Sequence, residues 1–140
     1  MRILFLDDDW ERHSHFTMLH LGHDIAHVNC VADARRVLSN SRRFDEAWLD
    51  HDLELQYEPV RAWNLRQVYQ ARRFERYECG LDVARHIAQM PRAIRPRRVF
   101  VHSINEGGAL RMMDCLKVAG VDVHRIADLR YEQAQLVRAA

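Results

Sequence analysis

Five short apolar runs recur along the chain, and between them lie segments whose apolar residues follow helical spacing. Runs of this length that are rich in β-branched and aromatic residues indicate buried strands. Strands that alternate with helices predict an α/β fold with a parallel sheet, and this pattern limits the possible architectures more than any other feature. The five predicted strands are RILFL (Arg2–Leu6), DIAHVNC (Asp24–Cys30), FDEAWLDHDL (Phe44–Leu53), PRRVFVHSIN (Pro96–Asn105) and VDVHRI (Val121–Ile126).

A five-stranded sheet of this kind is commonly doubly wound in the strand order 2-1-3-4-5. We expect that order here, within one domain that spans residues 1–140. Residues 54–79 interrupt the alternation, so they predict a helical insertion after strand 3. The insertion's arginines either cover a pocket as a phosphate-binding lid or face water on an amphipathic helix, and the second interpretation is favoured because exposed helical faces are usually charged. These arginines are Arg61, Arg66, Arg72, Arg73 and Arg76.

Composition argues against several classes of protein. The formal net charge of +1 gives no general attraction to duplex DNA. The chain has no apolar stretch near the roughly 20 residues of a membrane span, and MRILFLDDDW does not resemble a signal peptide. Three widely spaced cysteines indicate reduced thiols rather than a disulfide framework. We therefore expect a cytoplasmic protein that is not membrane-bound.

Polar residues follow three of the predicted strands where each strand ends. In the order 2-1-3-4-5, strands 1, 3 and 4 are neighbours, and their carboxyl ends meet at one edge of the sheet. Asp50 and Asp52 share a face if the strand stays extended, because alternate residues of a strand point the same way. We expect the three sets to form one site: Asp7, Asp8 and Asp9; Asp50, His51 and Asp52; and His102, Ser103 and Asn105.

Clustered carboxylates and a histidine suit a divalent cation. Oxygen ligands favour Mg²⁺, Ca²⁺ or Mn²⁺, and an added imidazole brings in Zn²⁺ or Fe²⁺. Each residue also has a structural alternative. Asp9 is equally suited to cap the next helix, and His51 is expected to be a hydrogen-bonded core histidine. For His102 and Ser103 the alternative is that they end strand 4 and have no role in a site.

The order of these residues resembles the receiver-domain superfamily. Receivers have acids after strand 1 (FLDDD here), an aspartate at the end of strand 3 (WLD, Asp50) and Ser or Thr at the end of strand 4 (VHS, Ser103). The lysine that ends strand 5 in phosphoacceptor receivers is missing, because the only lysine is Lys117. With LDHDL, Gly80 and VHSIN, the chain is more similar to the cyclic-phosphate processing receiver domains.

This resemblance implies a receiver-like domain that acts as a metal-dependent phosphoesterase on a cyclic phosphate of a nucleotide or an RNA end. The implied cofactor is Mn²⁺ or Mg²⁺, with Zn²⁺ as another option. Two other functions remain open: a non-catalytic module that binds a phosphate-bearing ligand or a protein, and, ranked last for want of the lysine, a phosphoacceptor receiver. The candidate residues are Asp7, Asp8, Asp50 and Asp52 for metal, His102, Asp50 and Asp52 for catalysis with His102 as general acid, and Ser103, Asn105 and Arg12 for substrate.

Overall fold

The structure is a computed structural model that describes residues 1–40, 42–53 and 78–126. Its centre is a five-stranded parallel sheet in the order β2-β1-β3-β4-β5, which confirms the predicted doubly wound topology. The strands are β1 (Arg2–Leu6), β2 (Asp24–Val28), β3 (Glu46–Leu49), β4 (Arg98–His102) and β5 (Asp122–Ile126).

Successive residues of each central strand point to opposite faces of the sheet, and apolar residues point to both faces. Helices therefore cover both faces. The larger core lies under three helices and includes Leu4, Leu6 and Leu49. The smaller core includes Phe5 and Trp48 and is covered by the helix that carries Phe16. The helices are α1 (Trp10–Leu19), which packs on the smaller core, and α2 (Val31–Asn40), α3 (Gly80–Gln89) and α4 (Glu106–Val118), which pack on the larger one.

Strand β3 is shorter than predicted. The sequence predicted Phe44–Leu53, whereas the strand runs from Glu46 to Leu49. The backbone N–H of Asp50 still donates to Leu6 O at 3.0 Å, but the next carbonyl, His51 O, accepts from Gly80 N at 2.9 Å. The chain therefore leaves the sheet after Asp50 to meet the start of α3.

The predicted insertion at residues 54–79 lies mostly outside the described residues, which include only residues 78 and 79 of it. Among the helices in the described ranges, none has the length and apolar character needed to cross a lipid bilayer.

Candidate functional site

Three carboxylates meet where β1 and β3 end side by side. Asp7 and Asp8 follow β1, Asp50 follows β3, and one oxygen from each lies within 4.8 Å of the others. Asp7 has no exposed surface and Asp50 has only 4%. A cation about 2.0–2.4 Å from each oxygen would set oxygen–oxygen separations of roughly 3–4.8 Å, so this carboxylate group (Asp7, Asp8 and Asp50) fits a divalent metal such as Mg²⁺ or Mn²⁺.

Arg12 reaches into the carboxylate group from the first turn of α1. Its Nε lies 3.0 Å from Asp7 Oδ2, and its Nη2 lies 3.6 Å from Asp8 Oδ1 and 3.4 Å from Asp50 Oδ2. Asp9 is positioned differently, because its Oδ1 caps α1 by accepting from Glu11 N at 2.8 Å. Of the two interpretations left open for Asp9, the structure supports the helix cap.

Burial shifts the protonation of the two deepest carboxyls. Burial raises the pKa of Asp7 to about 7, helped by the nearby charges of Asp50 and Asp8 and opposed by the Asp9 N–H and Arg12. Burial also raises the pKa of Asp50 to about 6, although Arg12 and the neighbouring Ser103 hydroxyl lower it. A metal ion would favour the ionised forms, so protons and metal compete for these oxygens.

His102 lies behind Asp7 and is almost fully buried. Its ring stacks on Phe5 with centroids 5.1 Å apart, and its Nδ1 is 3.7 Å from Asp7 Oδ2. Neither ring nitrogen has a hydrogen-bond partner of good geometry within the described residues. Burial, reinforced by the charge of Arg12, lowers the pKa of His102 to about 3, so the ring is neutral near pH 7 and is not an imidazolium acid.

A second polar group lies where the chain after β3 meets the starts of α3 and α4. His51 Nδ1 contacts Asp52 Oδ1 at 2.7 Å, and Asn105 Nδ2 donates to the same oxygen at 3.1 Å. On the other side of the ring, His51 Nε2 lies 3.6 Å from Cys79 Sγ. We call these four residues the imidazole–thiol group (His51, Asp52, Cys79 and Asn105).

The sequence predicted that the side chains of Asp50 and Asp52 point the same way. They point in different directions, because β3 ends at Leu49 and the alternation of faces ends with it. Asp50 joins the carboxylate group, whereas Asp52 contacts His51 and Asn105 and lies outside that group. His51 is buried and hydrogen-bonded, as expected for a core histidine.

Two glycines let the imidazole–thiol group pack closely. A Cβ on Gly108 in α4 would lie 2.5 Å from His51 Cγ, and a Cβ on Gly80 would overlap the backbone carbonyl of Asp50. Asn105 caps α4 by accepting from Gly108 N at 2.9 Å. Ser103 is buried, and its Oγ accepts from Asn105 N at 3.3 Å, so the turn after β4 is held by its own polar side chains.

Cys79 is the residue of this region that the sequence did not identify. Its contact with His51, and then Asp52, raises the pKa of His51 to about 9 despite burial. Burial alone would raise the pKa of the Cys79 thiol, but His51 and the Leu81 N–H outweigh it and the pKa is lowered. The only signal in the sequence was a cysteine directly before the glycine that begins a helix.

Comparison with known families and structures gives a consistent result. The profile of the cyclic-phosphate processing Receiver domain matches residues 2–118. No curated protein is similar enough to count as a relative. The Mn²⁺-bound form of response regulator Rcp1 superposes with a TM-score of 0.62 at 14% identity, covering 96% of this chain and 88% of that one.

Two further solved structures share the fold. A response regulator receiver protein from Pseudomonas putida gives a TM-score of 0.58 at 18% identity, over 99% of this chain and 96% of that one. A Burkholderia pseudomallei response regulator with a phosphorylated aspartic acid and a calcium ion gives 0.59 at 13% identity, over 99% and 71%. At these identities the likeness establishes a shared fold.

Proposed function

The chain belongs to the family of cyclic-phosphate processing receiver domains, and on that premise we propose that it is a metal-dependent phosphoesterase that opens a cyclic phosphate of a nucleotide or an RNA end. The observation that carries the proposal is the convergence of Asp7, Asp8 and Asp50 within 4.8 Å at the edge of the sheet where ligands of such folds bind.

In this proposal the carboxylate group holds a divalent cation, Mn²⁺ or Mg²⁺, with Zn²⁺ a weaker fit to an all-oxygen set. When bound, such an ion lowers the pKa of a coordinated water and offsets phosphate charge. Asp52, also a candidate ligand, lies outside the carboxylate group, and its Oδ1 contacts His51 and Asn105 at 2.7 and 3.1 Å. We therefore assign Asp52 to catalysis through His51, as the group that orients the ring.

The phosphate would lie against the turn after β4 and the start of α4. A helix N-terminus presents N–H groups that favour anions. Ser103 and Asn105 begin this turn, and the Arg12 guanidinium lies 3.4 Å from Asp50 across the site. These three residues are the proposed phosphate contacts.

The proton for the leaving oxygen has two candidate sources. His102 was the first candidate, but its lowered pKa, about 3, leaves it neutral. His51 has a pKa raised to about 9 and directly follows Asp50, to which its backbone N–H donates at 2.7 Å. A group that is protonated near pH 7 is the better general acid, so we assign that role to His51 and assign His102 to support of Asp7.

The test is turnover of cyclic phosphates by purified protein with Mn²⁺, using 2′,3′-cyclic and 3′,5′-cyclic nucleotides and an RNA with a 2′,3′-cyclic end. ³¹P NMR distinguishes the ring from the monoester. We expect Asp50→Asn to lose activity by roughly 100-fold or more, and Asp24→Asn, which removes an exposed aspartate paired with Arg2, to match the wild type. Ring opening that needs no metal and survives in Asp50→Asn would refute the proposal.

A non-catalytic binding module is the second candidate. The observation in its favour is that Arg12 supplies a positive charge to the carboxylate group from within the chain. Retention of cyclic nucleotide without turnover would support it. A phosphoacceptor receiver ranks lower, because β5 (Asp122–Ile126) contains no lysine.

A further inference from the structure

We propose that Arg12 is an exchangeable internal cation: it occupies the carboxylate group until a divalent ion displaces it, and the displaced guanidinium then binds the phosphate. This inference rests on the proposed function only in assuming that the carboxylate group binds a divalent metal. It adds a regulatory coupling, because metal and phosphate would each strengthen the binding of the other through one side chain.

Several carboxylates surround the guanidinium of Arg12. Arg12 lies within 3.6 Å of oxygens from Asp7, Asp8, Asp9 and Asp50. One guanidinium charge is shared among these acids, so its contribution to each is smaller than in a one-to-one ion pair. A divalent ion carries twice the charge into the same space and binds the oxygens directly, at roughly 2.0–2.6 Å.

The contacts of Arg12 with the carboxylates have poor geometry. Arginine binds carboxylates most strongly through two parallel N–H···O bonds. Here each contact joins a different carboxylate, and Arg12 Nε and Asp7 Oδ2, although 3.0 Å apart, are not aligned for a hydrogen bond. The contact with Asp50 Oδ2 is a long hydrogen bond at 3.4 Å. These contacts are weaker than a bidentate arginine–carboxylate pair, so a divalent ion that binds the same oxygens directly can replace them.

Arg12 can move without disturbing the fold. Its side chain is 31% exposed, and it belongs to the first turn of α1. The turn is held independently, because Asp9 Oδ1 caps it by accepting from Glu11 N at 2.8 Å. A metal ion and the guanidinium would lie only a few ångströms apart if both remained, and the repulsion between like charges at that distance drives the guanidinium outward.

The test measures Mn²⁺ affinity by electron paramagnetic resonance of free Mn²⁺, for the wild type, Arg12→Gln, Arg12→Lys and the control Arg98→Gln. Arg98 serves as the control because it too forms an ion pair with an aspartate, Asp122 at 3.3 Å, but it lies at the amino end of β4. We expect Arg12→Gln to bind Mn²⁺ at least about tenfold more tightly, equivalent to about 1.4 kcal/mol. Arg12→Lys should stay near the wild type, and Arg98→Gln should not change.

Inorganic phosphate is the second probe. In the wild type we expect phosphate to tighten Mn²⁺ binding, after correction for the complex formed in solution, and Mn²⁺ to tighten phosphate binding by the same factor. In Arg12→Gln this coupling should be lost. Urea unfolding of each variant verifies that it is folded, since Arg12 is on the surface of α1 and its replacement leaves the helix cap in place.

The outcomes separate this inference from the proposed function. Mn²⁺ binding that is equal or weaker in Arg12→Gln overturns the inference and leaves the phosphoesterase proposal standing. Tighter binding in Arg12→Gln and lost phosphate coupling, without turnover of any cyclic phosphate by the wild type, support the inference and refute the phosphoesterase. Absence of Mn²⁺ binding in every variant overturns both.

Discussion

Replacing Asp7 by asparagine should stabilise the metal-free protein, and the gain should grow with pH. Burial raises the pKa of Asp7 from 3.8 to about 7. A carboxyl with a raised pKa binds its proton more tightly in the folded state, so stability is highest at acid pH and is lost as pH rises from about 4 to about 7. Asp7→Asn cannot ionise and escapes this loss.

The magnitude follows from the shift. The difference between 3.8 and about 7 is a little over 3 pKa units, which corresponds to about 4 kcal/mol at pH 8 and about 2 kcal/mol at pH 5. The shift already includes the opposing effect of Arg12, whose Nε lies 3.0 Å from Asp7 Oδ2, so only a pH-independent offset between the neutral carboxyl and the amide remains. The advantage of Asp7→Asn over the wild type should therefore shrink by about 2–3 kcal/mol from pH 8 to pH 5, whatever the constant offset.

The assay is urea unfolding followed by tryptophan fluorescence in EDTA, at several pH values between 5 and 8. The control is Asp24→Asn, which removes an aspartate that is 74% exposed and ion-paired with Arg2. Its difference from the wild type should be nearly constant with pH. If the difference between Asp7→Asn and the wild type is equally constant, the account of Asp7 as a buried, costly charge is wrong.

The imidazole–thiol group gives two further predictions. Gly108→Ala should destabilise the protein by about 1–3 kcal/mol, the scale of overpacking a core, because the new Cβ would lie 2.5 Å from His51 Cγ. Gly107→Ala, whose Cβ would meet nothing closer than 3.9 Å, should be neutral or slightly stabilising in the same urea assay. Cys79 should react with iodoacetamide at pH 7 roughly tenfold faster than the other two cysteines, because its pKa is lowered. Mass spectrometry measures the three rates. Equal rates, or a Cys79 rate that is not slowed in His51→Gln, would contradict the role of His51.

The sequence predicted the sheet and the meeting of Asp7 and Asp50, because the strands and their order follow from the pattern of apolar runs. Apolar runs marked the strands, and the order of parallel strands brought Asp7 and Asp50 to one edge. The separation of Asp50 from Asp52 was not predictable, because it depends on the hydrogen bond from Gly80 N to His51 O, which joins residues distant in sequence. The burial of His102 was missed for a similar reason: its stacking on Phe5 depends on packing between strands.

Arg12 shows the same limit. Its spacing from the acids was visible, and a substrate contact was expected from the family resemblance. Its simultaneous approach to acids on β1 and β3 requires the two strand ends to be side by side. Contacts that join separate elements are a property of the fold, and single-sequence patterns do not encode them directly.

The peptide unit between Asp50 and His51 has an unusual position. It links Asp50 of the carboxylate group to His51 of the imidazole–thiol group, and the chain on either side of it is held by Gly80, through close contact with the Asp50 carbonyl and a hydrogen bond to His51 O. A shift of a few tenths of an ångström in the first turn of α3 would thus move the Asp50 carboxylate and the His51 imidazole together. Because one peptide unit positions both side chains, a substitution in the carboxylate group is constrained by what the imidazole–thiol group tolerates, and the reverse also holds.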